Sequence, residues 1–248
     1  MMLSSFIPDP SLYVTDIVTR DYRTADIFRK YDIDFCCGGK WPLEMICKNK
    51  GLDTEEVLGE LKKITSQLPS RSVLEFDKWE LDFLADYIVN IHHLYLKRAL
   101  PEVKNHVSRF LDGHTKKFPG LAPLNSIIDQ FQLEFLPHMK HEEEIIFPYI
   151  KQIHRAFYHH ESYASLLVRT LRKPVEEVMK RDHETTGSQL HQLRQLTENY
   201  TPPENACLAH KVAFAKLREL DEDLVRHIHL ENNILFPKAL AMEKELLK

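Results

Sequence analysis

The chain has 248 residues, enough for one or two domains with a sizeable buried core. Hydrophobic residues make up 43% and charged residues 28%, as in an ordinary globular protein, and a formal net charge of −4 gives no electrostatic case for nucleic-acid binding. Glycines number 7 and no Val/Ile/Thr alternation recurs, which favours helices over sheets, while the 14 histidines stand out.

The four cysteines, Cys36, Cys37, Cys47 and Cys207, do not form a disulfide framework, so a reducing compartment is expected. The first residues lack the basic start and apolar core of a signal peptide. No apolar run approaches the roughly 20 residues of a membrane helix. A cytoplasmic location is expected, with no membrane and no nucleic acid among its partners.

In chain order, residues 1–14 read as an irregular leader interrupted by Pro8 and Pro10. A small helical unit follows, with Thr15 and Thr24 as expected N-caps of two short helices. Asp34-Phe-Cys-Cys-Gly-Gly-Lys40 is a turn by composition. Helices are expected near 41–49 and 54–67, the second starting at Thr54 with acidic residues in its first turn. Residues 1–67 therefore form one domain, 68–76 a linker, and 77–248 a second domain.

In that second domain the helices lengthen. The first runs from about Asp77, with Leu81, Leu84, Ile88 and Ile91 on one stripe and Pro101 as a bend. A loop at 112–124 leads to a helix carrying Ile127, Ile128, Phe131, Phe135 and His138. Residues 151–173 read as a partly helical connection. A third helix follows Pro174 and carries His183. After a break at Thr201-Pro-Pro-Glu-Asn205, the fourth runs through Phe214, Leu217, Leu220, Leu224 and His227. The expectation is an all-α fold, a small helical domain followed by an antiparallel four-helix bundle.

One pattern occurs twice. His138-x-x-x-Glu142-x-x-Ile-x-Phe-Pro148 and His227-x-x-x-Glu231-x-x-Ile-x-Phe-Pro237 lie 89 residues apart. Counting back by that period from His183 lands beside His92-His93, so the bundle reads as a duplicated helical hairpin. Four residues on a helix turn through roughly 400°, which stacks each His on its Glu. A single His-x-x-x-Glu is ordinarily a solvated helix face; two copies at corresponding places point to a metal.

With His138, Glu142, His183, His227, Glu231 and either His92 or His93, six groups converge if the bundle closes. Six are too many for one four-coordinate zinc. They suit two ions sharing two carboxylates, with two imidazoles on each. Nitrogen and oxygen donors in a bundle core favour iron, with manganese as the alternative. The apolar stripe does not decide between His92 and His93. His114 lies too far along its helix to join and is expected to be structural or superficial. His141 and His229 adjoin ligands but point elsewhere, toward solvent. Glu134 and Asp182 could orient an imidazole or carry protons.

Adjacent cysteines followed by two glycines are unusual. Cys36 and Cys37 are candidate redox thiols, for electron relay, thiol capture of a small ligand or transient metal binding, against a plain buried turn. Cys47 and Cys207 are expected to be inert.

Phe28-Arg-Lys-Tyr-Asp-Ile-Asp-Phe-Cys-Cys-Gly-Gly-Lys40, a His eight residues before Pro101, the two His-x-x-x-Glu motifs and Asp182-His183-Glu184 together resemble the iron–sulfur cluster repair di-iron proteins (the RIC, ScdA and YtfE group). The resemblance covers nearly the whole chain. It implies an ScdA-type N-terminal domain, a haemerythrin-like bundle and a non-haem di-iron centre, oxo-bridged, with His93 as the ligand on the first helix. It implies repair of iron–sulfur clusters damaged by nitric oxide or peroxide. The reading drawn from it is iron donation to damaged iron–sulfur proteins or a cluster scaffold, with an electron donor and small ligands such as nitric oxide or dioxygen; a homodimer is compatible. Two alternatives stay open: an enzyme reducing nitric oxide at the di-iron site, and a sensor or carrier of dioxygen or nitric oxide.

Overall fold

The computed structural model describes residues 6–35, 39–66, 74–171 and 173–248; for residues 171, 173–182 and 184 it describes the backbone alone. Every regular element among them is helical, and extended pairing is confined to a bridge between Tyr13 and Pro42. Contacts divide the chain into two compact units, one of residues 1–80 with Ile228–Lys238, the other of Leu81–His227 with Ala239–Lys248. Residues 67–73, most of the expected linker, lie outside the described residues.

The first unit contains α1 (Val14–Arg20), α2 (Thr24–Lys30), α3 (Leu43–Lys50) and α4 (Thr54–Ser66). The expected caps are displaced. No side chain caps α1, and Thr15 is buried inside its first turn. The backbone N–H groups of Val14 and Thr15 donate instead to the carbonyls of Trp41 and Gly39, at 3.2 and 3.0 Å, so the 39–41 segment takes over the role of a cap. At α2 the work is done by Asp21, whose carboxylate accepts from the Arg23 N–H at 3.1 Å. At α4 it is Asp53, which accepts from the Glu55 N–H at 2.9 Å. Asp21 thus stands in for the expected Thr24 cap, while α4 begins at Thr54 as expected, with Asp53 ahead of it. The α1, α2 and α3 helices bury Ile17, Phe28, Leu43 and Cys47, and α2 and α3 pack on α4 over Val57 and Leu61. Burial raises the pKa of the Cys47 thiol, in keeping with an inert role.

The second unit is built from α5 (Leu81–Tyr87), α6 (Leu94–His114), α7 (Pro123–His141), α8 (Phe147–Tyr158), α9 (Ala164–Leu171), α10 (Lys173–Leu196), α11 (Leu208–Leu230) and α12 (Phe236–Leu246). The expected bend does not end the first long helix; α6 continues through Pro101 to His114. Ion pairs join Lys151 to Asp86 and Lys104 to Asp129, so α5–α6 and α7–α8 run antiparallel. Gln189 donates to Glu134 at 2.7 Å, which sets α10 antiparallel to α7. Arg194 grips Asp221 through two bonds of 2.8 and 2.7 Å, tying α10 to α11. His92 on Asp223 returns α11 to the first helix. The ring of four is closed, and Leu84, Leu100, Phe131, Ile150, Leu217 and Leu224 fill it.

Three π-helical segments occur among the described residues: Ile88–His93, Glu142–Ile146 and Glu231–Leu235. In the last two the Phe147 and Phe236 N–H groups reach back five residues, to the carbonyls of Glu142 and Glu231. A proline lies one residue further on in each. Pro148 and Pro237 have no N–H, and a proline ring collides with the carbonyl four residues back in a regular helix; a wider turn relieves the collision.

The segment at Ile88 corrects one expectation. Ile91 was placed on the buried stripe, but it is 49% exposed, and His92 and His93 are buried instead. A π turn advances roughly 80° per residue rather than about 100°. Five α-helical residues would carry His93 about 140° past Ile88; five π residues carry it about 40°, back onto the core face.

Candidate metal centre

Two overlapping groups of buried ligand-type side chains occur among the described residues. One is His93, Glu142, His227 and Glu231; the other is His138, Glu142, His183 and Glu231. Within each group one donor atom per residue lies within 4.8 Å of every other. Both carboxylates belong to both groups, and each group has its own pair of imidazoles. All six side chains picked out by spacing and resemblance therefore come together.

The finer geometry separates the two sides. Nε2 of His93 is 3.1 Å from Nε2 of His227, and Nε2 of His183 is 3.2 Å from Nε2 of His138. Two nitrogens each about 2.1 Å from one ion, at a right angle or slightly more, stand about 3.0–3.3 Å apart. Both pairs fit that figure. Glu142 presents one oxygen to each side: Oε2 lies 3.4 Å from His93 Nε2, while Oε1 lies 3.1 Å from His138 Nε2 and 3.9 Å from His183 Nε2. A carboxylate so placed is shaped to bridge two cations.

Around these groups a second set of side chains fixes the rings. Nδ1 of His93 is 2.8 Å from Oε1 of Glu143, and Lys97 donates to both oxygens of that carboxylate at 2.7 and 2.8 Å. Burial works to raise the pKa of Glu143, but the bonds from Lys97 and His93 outweigh it and hold the group below its ordinary value. His92 meets Asp223 at 2.9 Å and stacks on His227, ring centres 5.8 Å apart. The Phe147 of the repeated Phe-Pro pair stacks on His93 at 5.6 Å. Glu134 accepts bonds from Gln130 and Gln189. The Asp182 side chain lies outside the described residues, as do Cys36 and Cys37.

Sequence reasoning missed Glu143, Lys97 and Asp223. Nothing in spacing marks a residue that turns an imidazole from behind, although Lys97 lies one turn after His93 and Asp223 one turn before His227. It also misplaced His229, which is 5% exposed rather than solvated. Asn233 donates to His229 Nδ1 at 3.0 Å and also reaches the Phe35 carbonyl at 3.4 Å. Burial pushes the pKa of His229 down to about 4, partly opposed by its own bond to the Phe35 carbonyl. His114, as expected, stands apart from both groups; its Nδ1 bonds the Phe110 carbonyl and its Nε2 lies 3.3 Å from the Cys207 sulfur.

A closed antiparallel bundle with paired imidazoles and two shared carboxylates at its centre defines a haemerythrin-type domain with a buried di-metal site. Family comparison agrees. The profile described as "Hemerythrin HHE cation binding domain" matches residues 84–239, and one described as a domain of unknown function (DUF542, ScdA_N) matches residues 12–65. The chain is 33% identical over 221 residues to the iron–sulfur cluster repair protein YtfE of Enterobacter sp. (strain 638), covering 89% of this chain and 93% of that one. The same figures hold for the YtfE proteins of Escherichia coli O17:K52:H18 and O157:H7. The chain belongs to the iron–sulfur cluster repair family. Among the described residues no helix is long and apolar enough to cross a membrane.

Proposed function

We propose that His93 and His227 hold one iron ion, that His138 and His183 hold a second, and that Glu142 and Glu231 bridge the two. The observation that carries this reading is the opposed placement of the Glu142 oxygens, one toward each imidazole pair. Each ion then has four protein atoms, two nitrogens and two oxygens. Four protein donors would leave a six-coordinate ion room for a small ligand or the thiolates of a recipient.

A loaded pair would supply redox-active iron that can be transferred. The chain's own residues set the terms of release. Glu143 can only accept at His93 Nδ1, so the Nδ1 proton stays there and Nε2 is the atom a neutral ring offers to a metal. Glu142, with one oxygen turned toward each imidazole pair, would offer a single oxygen to each ion, a weaker hold than chelation. The relatives carry the name of cluster repair proteins. The function that fits is delivery of iron to iron–sulfur proteins damaged by nitrosative or oxidative stress, in the cytoplasm, with an electron donor that reduces the pair before release. Cys36 and Cys37 are proposed as the thiols of the electron or transfer step.

The test is metal content with an optical spectrum before and after reduction. Two irons per chain, with near-ultraviolet bands that bleach on reduction, are expected. One zinc, or no metal, would remove the reading. Many turnovers of nitric oxide per chain, with the iron retained, would replace donation by catalysis.

A further inference from the structure

We infer that Glu143, itself no ligand, is the positioning residue for His93 and makes the two metal positions unequal. The inference rests on the ligand set proposed above. It begins with hydrogen-bond chemistry. A carboxylate has no proton to give, so the 2.8 Å contact between Glu143 Oε1 and His93 Nδ1 places the ring proton on Nδ1. That leaves the lone pair on Nε2, the atom 3.1 Å from His227 Nε2 and 3.4 Å from Glu142 Oε2. The ring cannot turn over without losing this bond, and Phe147 stacked on it at 5.6 Å blocks one face.

Position in the chain makes the arrangement specific. Glu143 follows the bridging Glu142 within a π segment, and His93 ends another. One π segment therefore presents a bridging carboxylate and, from the next residue, the carboxylate that aims a terminal imidazole. Lys97 closes the assembly from the solvent side, holding both Glu143 oxygens; its side chain is 43% exposed and that of Glu143 22%, whereas His93 is fully buried. A plain surface ion pair between Lys97 and Glu143 would not require the third contact, to a buried ring.

The duplicated half differs at this place. Moving 89 residues along from Glu143 reaches Asn232, an uncharged amide. The carboxylate that the first half carries at this position of the repeat is thus an amide in the second half. A carboxylate behind a ligating histidine raises its basicity and locks its orientation, and its loss typically weakens metal binding by about 10–100-fold. Here the effect should fall on the ion held by His93 and His227.

The protein is loaded anaerobically with two ferrous ions per chain and mixed with excess of a chromogenic ferrous chelator. Release is followed in the parent, in Glu143→Leu and in Glu143→Gln, which retains an acceptor without the charge. In Glu143→Leu one iron should leave about 10–100-fold faster and the other at the parent rate, with Glu143→Gln intermediate. Two irons leaving both variants at parent rates would overturn the inference, as would equal acceleration of both, which signals general loosening. Should Glu143→Leu fail to fold, the Gln variant decides alone: parent-like release of both ions overturns the proposal. Failure of the parent itself to take up two irons is a separate result, and it would remove the ligand assignment on which the inference stands.

Discussion

Nε2 of His93 and Nε2 of His227 face each other at 3.1 Å, although 134 positions separate them in the chain. Both rings are fully buried, and two imidazole nitrogens at this distance can share a cation. Terminal and bridging ligands then differ in what their loss removes. His93→Leu or His227→Leu should lower metal content from two ions to about one per chain. Glu142→Leu or Glu231→Leu strips a donor from both positions and should leave less than one. Elemental analysis of the purified variants checks this; equal losses from the two classes would defeat the bridging assignment.

The same carboxylates should weaken the empty fold. Glu142 is 1% exposed and Glu231 fully buried, so in their ionised forms, with no cation between them, they would place negative charge in a low-dielectric core. Desolvating an ion costs several kcal/mol even after relaxation, so where the surrounding imidazoles are neutral, removing the carboxylate is expected to be neutral or stabilising. Metal-free Glu142→Leu is therefore expected to unfold at a urea concentration equal to or above that of the metal-free parent. With metal present the order should reverse, since ligand at about 100 times its Kd stabilises the parent by about 2.7 kcal/mol. A metal-free variant that unfolds much earlier than the parent would show that Glu142 serves the fold itself.

The helical bundle and five of the six converging side chains were legible because both depend on periodic spacing. Identical motifs 89 residues apart require identical helix faces, and closing the bundle brings those faces together. The choice between His92 and His93 was not legible from the stripe, because the stripe assumed a regular α-helix. The π segment at Ile88–His93 rotates the face, buries both histidines and exposes Ile91. A sign of such turns was present elsewhere in the Phe-Pro pairs, since proline disfavours the regular turn before it. The caps failed for a different reason. Thr15 has the right chemistry, but the N–H groups of α1 were satisfied by carbonyls of residues 39–41, a contact that no local pattern announces.

His210 should impose a pH dependence on stability. It is 1% exposed and packed against Phe110, Phe118 and Phe214, with ring centres 4.2, 5.1 and 4.3 Å away. Burial lowers its pKa below 6.5, with His114 and Lys117 adding to the effect. The unfolded chain therefore takes up a proton near pH 6.5 while the folded one does not. Stability from this group is complete above that pH and declines as pH falls toward the folded-state value. His210→Leu removes the proton-binding site, so its stability relative to the parent should improve progressively below pH 6.5. Urea unfolding at several pH values checks the slope; parallel curves for the two proteins would show that His210 stays charged on folding.

Gly39 leaves no room for a side chain. A Cβ there would lie 2.8 Å from the Thr15 methyl, 2.9 Å from the Phe35 Cα and 3.0 Å from the Phe35 carbonyl oxygen. The methyl could turn aside, but the Phe35 backbone cannot readily move. Its ring rests against Phe28 and His229, and its carbonyl accepts from Asn233. Moving Gly39 instead would pull its carbonyl from the Thr15 N–H that it caps at 3.0 Å. Gly39→Ala should therefore cost about 1–3 kcal/mol, as overpacking of a tight site does. Adding Thr15→Ser removes only the methyl, so it should recover a minor part of the loss. If the double variant regains full stability in urea unfolding, the clash lies with Thr15 and the Phe35 backbone is freer than its contacts indicate.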